Sequence, residues 1–370
     1  MAAEEGRSLP QGRVMSVDAL RGFDMFWIAG GGELVKRLVE LFRSPMPPAL
    51  ERQFEHVPWE GFVAWDLIMP LFLFIVGTSM PLAYARRLEK GQTHKSIYLH
   101  MIRRILILWV LGMVAQGNLL SFDVSKLHFY SNTLQSIAAG YLVATVVILN
   151  FTIVWQAVIT TGLLVLFWLL MVFVPVPGHG AGMLTPEGNL AMYIDEALLG
   201  RFRDGTPYTW ILSSITFAAT VLLGVMSGHV IQSKLPPKNK ALVLFAAGIA
   251  GLVLGRITGI WFPIIKHIWT SSFVLYAAGW SFLLLAFFYV IMDVWGYSKW
   301  AFGFVVIGMN AIVAYMLTEF LSAGRISDLV FGKAAANFGA AAHFLMAGLC
   351  FGVLWLVLYA MYRKRVFVRI

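Results

Sequence analysis

Ten stretches of this chain are apolar over about twenty residues each, the length a helix needs to cross roughly 30 Å of hydrocarbon. They lie near 17–41, 61–85, 97–117, 134–151, 153–174, 208–232, 241–262, 270–293, 300–322 and 340–362. Barrel strands would alternate every second residue, and these runs do not. Inside lipid the backbone must satisfy its own hydrogen bonds, which leaves the α-helix. The expected fold class is therefore all-α, a polytopic integral membrane helical bundle of about ten transmembrane helices. It forms a single transmembrane domain over 1–370, with a polar tail at 1–15 and long external loops near 42–60 and 175–207. Composition excludes the other classes. Hydrophobic residues make up 59 % and charged residues only 13 %, where soluble domains carry about 25 % charge. A soluble enzyme could not cover its surface so sparsely, and a disordered chain would be richer in charge. The first apolar run is followed by Gly30-Gly31-Gly32 and charges. It reads as a span and not as a cleavable signal peptide.

Lys and Arg number 28 and Asp and Glu 19, a net charge of +9. With the N-terminus inside, cytoplasmic segments hold Arg7, Arg13, Arg86, Arg87, Lys90, Lys95, Lys234, Lys238, Lys240, Lys299, Arg363, Lys364, Arg365 and Arg369, with Arg103 and Arg104 just inside the third span. External segments hold fewer: Arg43, Arg52, Lys126, Arg201, Arg203, Lys266, Arg325 and Lys333. The positive-inside rule then puts both termini in the cytoplasm. Most of the excess charge reads as orientation, so no nucleic-acid partner is expected. The one cysteine, Cys350, leaves no intrachain disulfide, and no metal-ligand spacing occurs. Gly251, Gly255 and Gly259, four apart, predict a close helix-packing face.

Ionisable residues inside spans are costly and mark a function or an internal pair. Asp18, Arg21 and Asp24 share one helix face, so Arg21 can pair with either acid. Glu33 follows the three glycines, which form either a plain bend or a place of close approach. His56 sits just before Pro58, a residue suited to a first helical turn, near the external interface. An imidazole there suits a base, although a lone interfacial histidine is also commonly structural. Asp66 lies in the helix that follows, deep enough to need a polar cavity or a cation. Arg103 and Arg104 suit a phosphate clamp and equally suit a topology signal. Asn118, Gln135, Lys266, His267, Ser271 and Ser272 are polar near the external side, and Asn310 lies within the ninth span. No zinc helix, Walker loop, nucleophile elbow or dinucleotide fingerprint is present.

Four blocks carry a family resemblance. Ser16-Val17-Asp18-Ala19-Leu20-Arg21-Gly22 precedes an apolar run and a triple glycine. Glu55-His56-Val57-Pro58-Trp59-Glu60-Gly61 leads into Trp65-Asp66-Leu67-Ile68-Met69-Pro70. Pro263-Ile264-Ile265-Lys266-His267-Ile268-Trp269-Thr270-Ser271-Ser272 and Gly308-Met309-Asn310-Ala311-Ile312 complete the set. In this order they resemble the membrane acyltransferase family that contains heparan-α-glucosaminide N-acetyltransferase and many bacterial relatives. The resemblance implies transfer of an acetyl group from cytosolic acetyl-CoA, as co-substrate, to a glucosamine amine on the far side of the membrane. It implies His56 as the catalytic base or acetyl carrier, with Asp66, Glu33 or Asp24 in support. It further suggests Arg103, Arg104, Lys266, Trp269, Ser271 and Asn310 as cofactor-binding or oxyanion residues. Expected partners are membrane lipid, acetyl-CoA and an amino-sugar or glycan acceptor, and a homodimer is left open. The expected location is a bacterial cytoplasmic membrane. Two features depart from the lysosomal enzyme. Ala29 stands before the triple glycine where that enzyme has an asparagine, and no counterpart of its lumenal domain is expected here, as in short bacterial members. An O-acyltransferase for an exported glycan and a transporter for a sugar or small anion are the alternatives.

Overall fold

The computed structural model describes residues 14–43, 45–320 and 339–368, without the side chains of 339, 340 and 342. Arg7, Arg13, Arg325, Lys333, Arg369 and most of the polar N-terminal tail lie outside the described residues. The described residues contain helices and no strand beyond isolated bridges. In order they are α1 (Met15–Phe26), α2 (Gly32–Phe42), α3 (Pro48–Glu51), α4 (Ile68–Glu89), α5 (His94–Ala115), α6 (Thr133–Asn150), α7 (Ile153–Phe173), α8 (Leu190–Leu199), α9 (Ser214–Gln232), α10 (Pro237–Thr258), α11 (Ser271–Tyr289), α12 (Phe302–Met309), α13 (Ala311–Phe320) and α14 (Gly339–Arg363).

Eight of the described helices are long and apolar enough to cross a membrane. They coincide with the second to eighth expected spans and the tenth. The other two expected spans are broken. Around 300–322, α12 and α13 meet at 68°, with Asn310 at the break. Around 17–41, α1 and α2 are joined by a π turn at Trp27–Gly31, where Gly30 takes φ +99°. A side chain there would be strained, which is what the triple glycine permits. The chain is an integral membrane helical bundle. The expected loop at 175–207 is folded: it carries α8, capped by Asn189 onto the Met192 N–H.

Glycines set the closest helix contacts, as packing without a hydrophobic drive between helices requires. A Cβ on Gly77 of α4 would lie 1.9 Å from the Val221 carbonyl oxygen of α9, and one on Gly224 would lie 2.0 Å from that of Phe74. The expected glycine face is present between α10 and α11. Cβ atoms on Gly251 and Gly255 would lie 2.8 Å and 2.5 Å from the backbone of Gly279 and Tyr276. Gly259 instead closes the end of α10, beside Ile264.

Gly77→Ala and Gly224→Ala must therefore push α4 from α9. Each should lower stability by about 1–3 kcal/mol, read as a lower unfolding midpoint in detergent. Gly162→Ala on α7, where nothing lies within 4 Å, should leave the midpoint unchanged or slightly raised.

Candidate active site at one end of the bundle

The loops before α4, between α5 and α6, between α7 and α9, and between α10 and α11 tie together at one end of the bundle. Gly61 N–H donates to Ile264 O at 2.9 Å, and Thr209 N–H to His267 O at 3.0 Å. Trp59 Nε1–H donates to Leu184 O at 2.9 Å. Asp195 of α8 is fully buried and accepts from the Trp210 and Ile211 N–H groups at 2.7 and 2.9 Å. Burial pushes its carboxyl up to about 6, although those two donors oppose the shift.

This web brings three residues from distant stretches together. His56 Nδ1 lies 2.8 Å from Asp66 Oδ1. Lys266 Nζ lies 3.3 Å from the same oxygen and 3.1 Å from His56 Nδ1. Asp66 is 1 % exposed, and its Oδ2 accepts from Val63 N–H at 3.3 Å. The Lys266 side chain is 7 % exposed, whereas that of His56 is 42 % exposed. The tautomer follows from charge. Paired with an ammonium, Asp66 is a carboxylate with no proton to give. A bare Nδ1 lone pair at 2.8 Å would face it repulsively. Nδ1 therefore carries the proton and donates to Asp66, and Nε2 keeps its lone pair. No described residue hydrogen-bonds Nε2, which sits on the exposed ring.

Burial lowers the Lys266 amine to about 8, against the pull of Asp66. The neighbouring His267 ring is stacked between Trp59 and Tyr208, with centroids 5.1 and 4.5 Å away. Burial first, and the Lys266 charge second, lower it to about 4. Its Nδ1 is buried without a hydrogen-bond partner among the described residues. Burial, and then the Asp66 charge, raise Tyr208 to about 12. These neutral rings form an aromatic wall beside the charged cluster.

The other expected site residues are placed elsewhere. Glu33 pairs with Arg37 at 2.7 Å and does not meet His56. Arg21 pairs with Asp18 at 3.1 Å and not with Asp24, whose oxygens have no hydrogen-bond partner. Ser271 donates to Leu164 O at 2.7 Å. Asn310 donates to Val366 O at 3.1 Å and accepts from Val368 N–H at 3.0 Å, bracing the chain after α14. Ser271 thus spends its hydroxyl proton on the backbone, and Asn310 spends one of its two amide N–H groups there. Trp269 is 2 % exposed, donates to Thr220 Oγ1 and packs on Phe217 and Phe273, so it is core. Ala29 is buried within the π turn and offers no polar side-chain atom.

The arginine pair also separates. Arg103 is exposed, while Arg104 stacks over the Tyr141 ring at 4.4 Å and faces a cavity of about 310 Å³. Arg21, Ser79, Tyr84 and Phe72 share that cavity. Arg21 also donates to Ser79 Oγ at 2.6 Å. The cavity runs along α4 from Tyr84 up to Phe72. Phe72 is six residues past Asp66, about 9 Å along a helix. The contacts of Lys266 with Asp66 and of Arg21 with Ser79 had no signal in the sequence, because these partners lie 200 and 58 residues away along the chain.

No protein-family model matches the chain. Heparan-alpha-glucosaminide N-acetyltransferase of Mus musculus is 25 % identical over 377 residues, which is 86 % of this chain and 56 % of the mouse protein. The Homo sapiens protein of the same name is 25 % identical over 382 residues, with the same two shares. The chain is a distant relative of these acetyltransferases. It spans just over half the length of each. The likeness to heparan-alpha-glucosaminide N-acetyltransferase thus extends over most of the chain.

The Lys266 amine gives a pH test of this geometry. In the unfolded chain it holds its proton up to an ordinary 10.5, and in the folded protein only to about 8. Between these values the unfolded state binds more protons, so folding stability rises with pH. The wild type should therefore gain unfolding temperature relative to Lys266→Met as pH rises from 8 towards 10.5. A constant difference across that window would contradict the buried placement.

Proposed function

We propose that this protein is a transmembrane N-acetyltransferase. It moves an acetyl group from cytosolic acetyl-CoA to an amine on the extracytoplasmic side, with an amino sugar such as a terminal glucosamine as the acceptor class. Both termini face the cytoplasm, and the membrane is a bacterial cytoplasmic membrane. The reading is carried by one observation: a histidine with an open Nε2 at one end of α4, and an arginine-bearing cavity that climbs the same helix from the other.

Arg104 and Arg21 hold phosphate groups of the donor, for which guanidinium forks suit better than ammonium points. The thioester reaches along the cavity towards Asp66. The acceptor amine approaches His56 from the loop end. Its nitrogen attacks the thioester carbonyl carbon while His56 Nε2 takes the proton. The tetrahedral oxyanion then collapses, the C–S bond breaks, and the imidazolium returns the proton to the coenzyme A thiolate. Asp66 is a positioning residue, holding the imidazole by Nδ1 and stabilising its cationic form. Lys266 is the candidate oxyanion donor, since its Nζ lies 3.1 Å from the His56 ring, whereas Ser271 donates to Leu164 O and Asn310 to Val366 O. A ping-pong route through acetyl-imidazole uses the same Nε2.

Transfer of labelled acetyl from acetyl-CoA to a panel of amino sugars tests the reading. His56→Ala should lower kcat by about 100-fold or more without changing the unfolding midpoint. Asp66→Asn should lower kcat and shift the acid limb of the pH profile, with KM for acetyl-CoA unchanged. Arg104→Ala should raise KM for acetyl-CoA and leave kcat near wild type. Mass spectrometry of the product should give an amide, and an ester would turn the assignment to O-acylation. Wild-type transfer by His56→Ala would contradict the reading.

A further inference from the structure

Two cavities follow one another along α11 on the outside of the bundle. The first, of about 650 Å³, lies at the loop end. Glu60 and Phe62 line it from the loop before α4, Arg256 and Ile260 from the end of α10, and Tyr276 from α11. Glu60 and Arg256 are the only charged residues of its lining. Both are exposed, and neither forms an ion pair among the described residues. Arg256 stands in the last turn of α10, a helix long and apolar enough to cross a membrane. Its guanidinium is therefore at the level of lipid headgroups. The second cavity, of about 260 Å³, lies deeper and its wall is almost wholly apolar. Both walls carry the succession. On α11, Tyr276 lines the first cavity and Trp280 and Leu284 the second, at four-residue steps of about 6 Å on one helix face. On the opposite wall, Phe62 lines the first cavity and Trp65 the second. Ile260 is 79 % exposed and Trp280 39 %, so both cavities open sideways onto the surface that lipid covers.

This succession has the polarity profile of a phospholipid. A cation and an anion stand apart at headgroup level, and an apolar cavity lies beneath them. The guanidinium fork suits a phosphate. A carboxylate accepts charge-assisted hydrogen bonds from a primary ammonium, whereas a quaternary ammonium has no N–H to give. A lipid of net negative charge would meet Glu60 repulsively. A soluble zwitterion would leave the apolar cavity unused. We propose that this is a binding site for a phospholipid with a phosphoethanolamine headgroup. Arg256 takes the phosphate, Glu60 takes the ammonium, and one acyl chain passes Tyr276 into the apolar cavity beside Trp280 and Leu284. The bound lipid ties α10 to the loop that carries His56, from outside the His56–Asp66–Lys266 cluster. The assignment does not rest on acetyl transfer.

The test is native mass spectrometry of the purified full-length protein in micelles doped with equal amounts of phosphatidylethanolamine, phosphatidylcholine and phosphatidylglycerol of the same chains. Phosphatidylethanolamine should be retained at least about fivefold over either other lipid. Glu60→Gln should abolish its advantage over phosphatidylglycerol, and Arg256→Gln should lower retention of all three. Leu284→Trp, which narrows the apolar cavity and keeps both charges, should also weaken retention, so the outcome does not hang on one variant folding. Soluble glycerophosphoethanolamine at the lipid's concentration should displace nothing. His56→Ala should retain the lipid as wild type does, even where transfer is lost. Equal retention of the three lipids would show an ordinary lipid belt and overturn the proposal. A preference for phosphatidylethanolamine that survives Glu60→Gln, or displacement by the soluble headgroup, would overturn it equally.

Discussion

One buried carboxylate organises the functional end of this molecule. Asp66 is removed from water at the start of the helix that leads into the membrane, and a charge there must be compensated. Lys266 and the Nδ1–H of His56 do so, both on the same oxygen. The loop containing Lys266 is held by backbone bonds to Gly61 and Thr209, and the Thr209 stretch is held by Asp195. Three loops far apart in sequence are thus ordered around one charge. The consequence for chemistry is the tautomer: the acid takes Nδ1–H and leaves Nε2 as the basic nitrogen.

The helix following Asp66 links this end of the bundle to the rest. Gly77 lets it approach α9 at backbone contact, and Phe72, Ser79 and Tyr84 on the same helix line the cavity that holds Arg104. Close packing on one side and a cavity on the other give α4 two faces with different duties. A donor reaching up that cavity and an acceptor arriving at His56 would approach the same short stretch of α4 from opposite directions. In the proposed reaction, that is how the two substrates meet without a continuous pore.

Much of this was legible in the sequence, for identifiable reasons. Apolar runs of membrane length report on solvent, which acts on every residue of a span, and seven adjacent helices and the last fall where the runs predict. The triple glycine offered a plain bend in the first span, but nothing in the sequence marked the break in the ninth. Hydropathy is blind to a π turn at Gly30 or a 68° bend at Asn310. His56 and Asp66 stood out because they are ten residues apart around one helix start. Lys266 stood out only as a polar residue at the right end, because its partners depend on tertiary contact. Ser271, Asn310 and Trp269 have the right chemistry for a site, but local carbonyls, a returning chain end and core packing claim their polar groups. Asp24 was read as support for His56, whereas it is buried in α1 and makes no hydrogen bond to that ring.

The central claim is that Asp66 fixes the imidazole of His56 with its proton on Nδ1. Nitrogen-15 magnetic resonance of the histidine-labelled protein, with the His56 signals assigned by difference against His56→Ala, tests it most directly. A protonated, pyrrole-type Nδ1 and an unprotonated, pyridine-type Nε2 are expected at a pH where the ring is neutral, with that order weakened or reversed in Asp66→Asn. A wild-type spectrum with the proton on Nε2 and the lone pair on Nδ1 would contradict it.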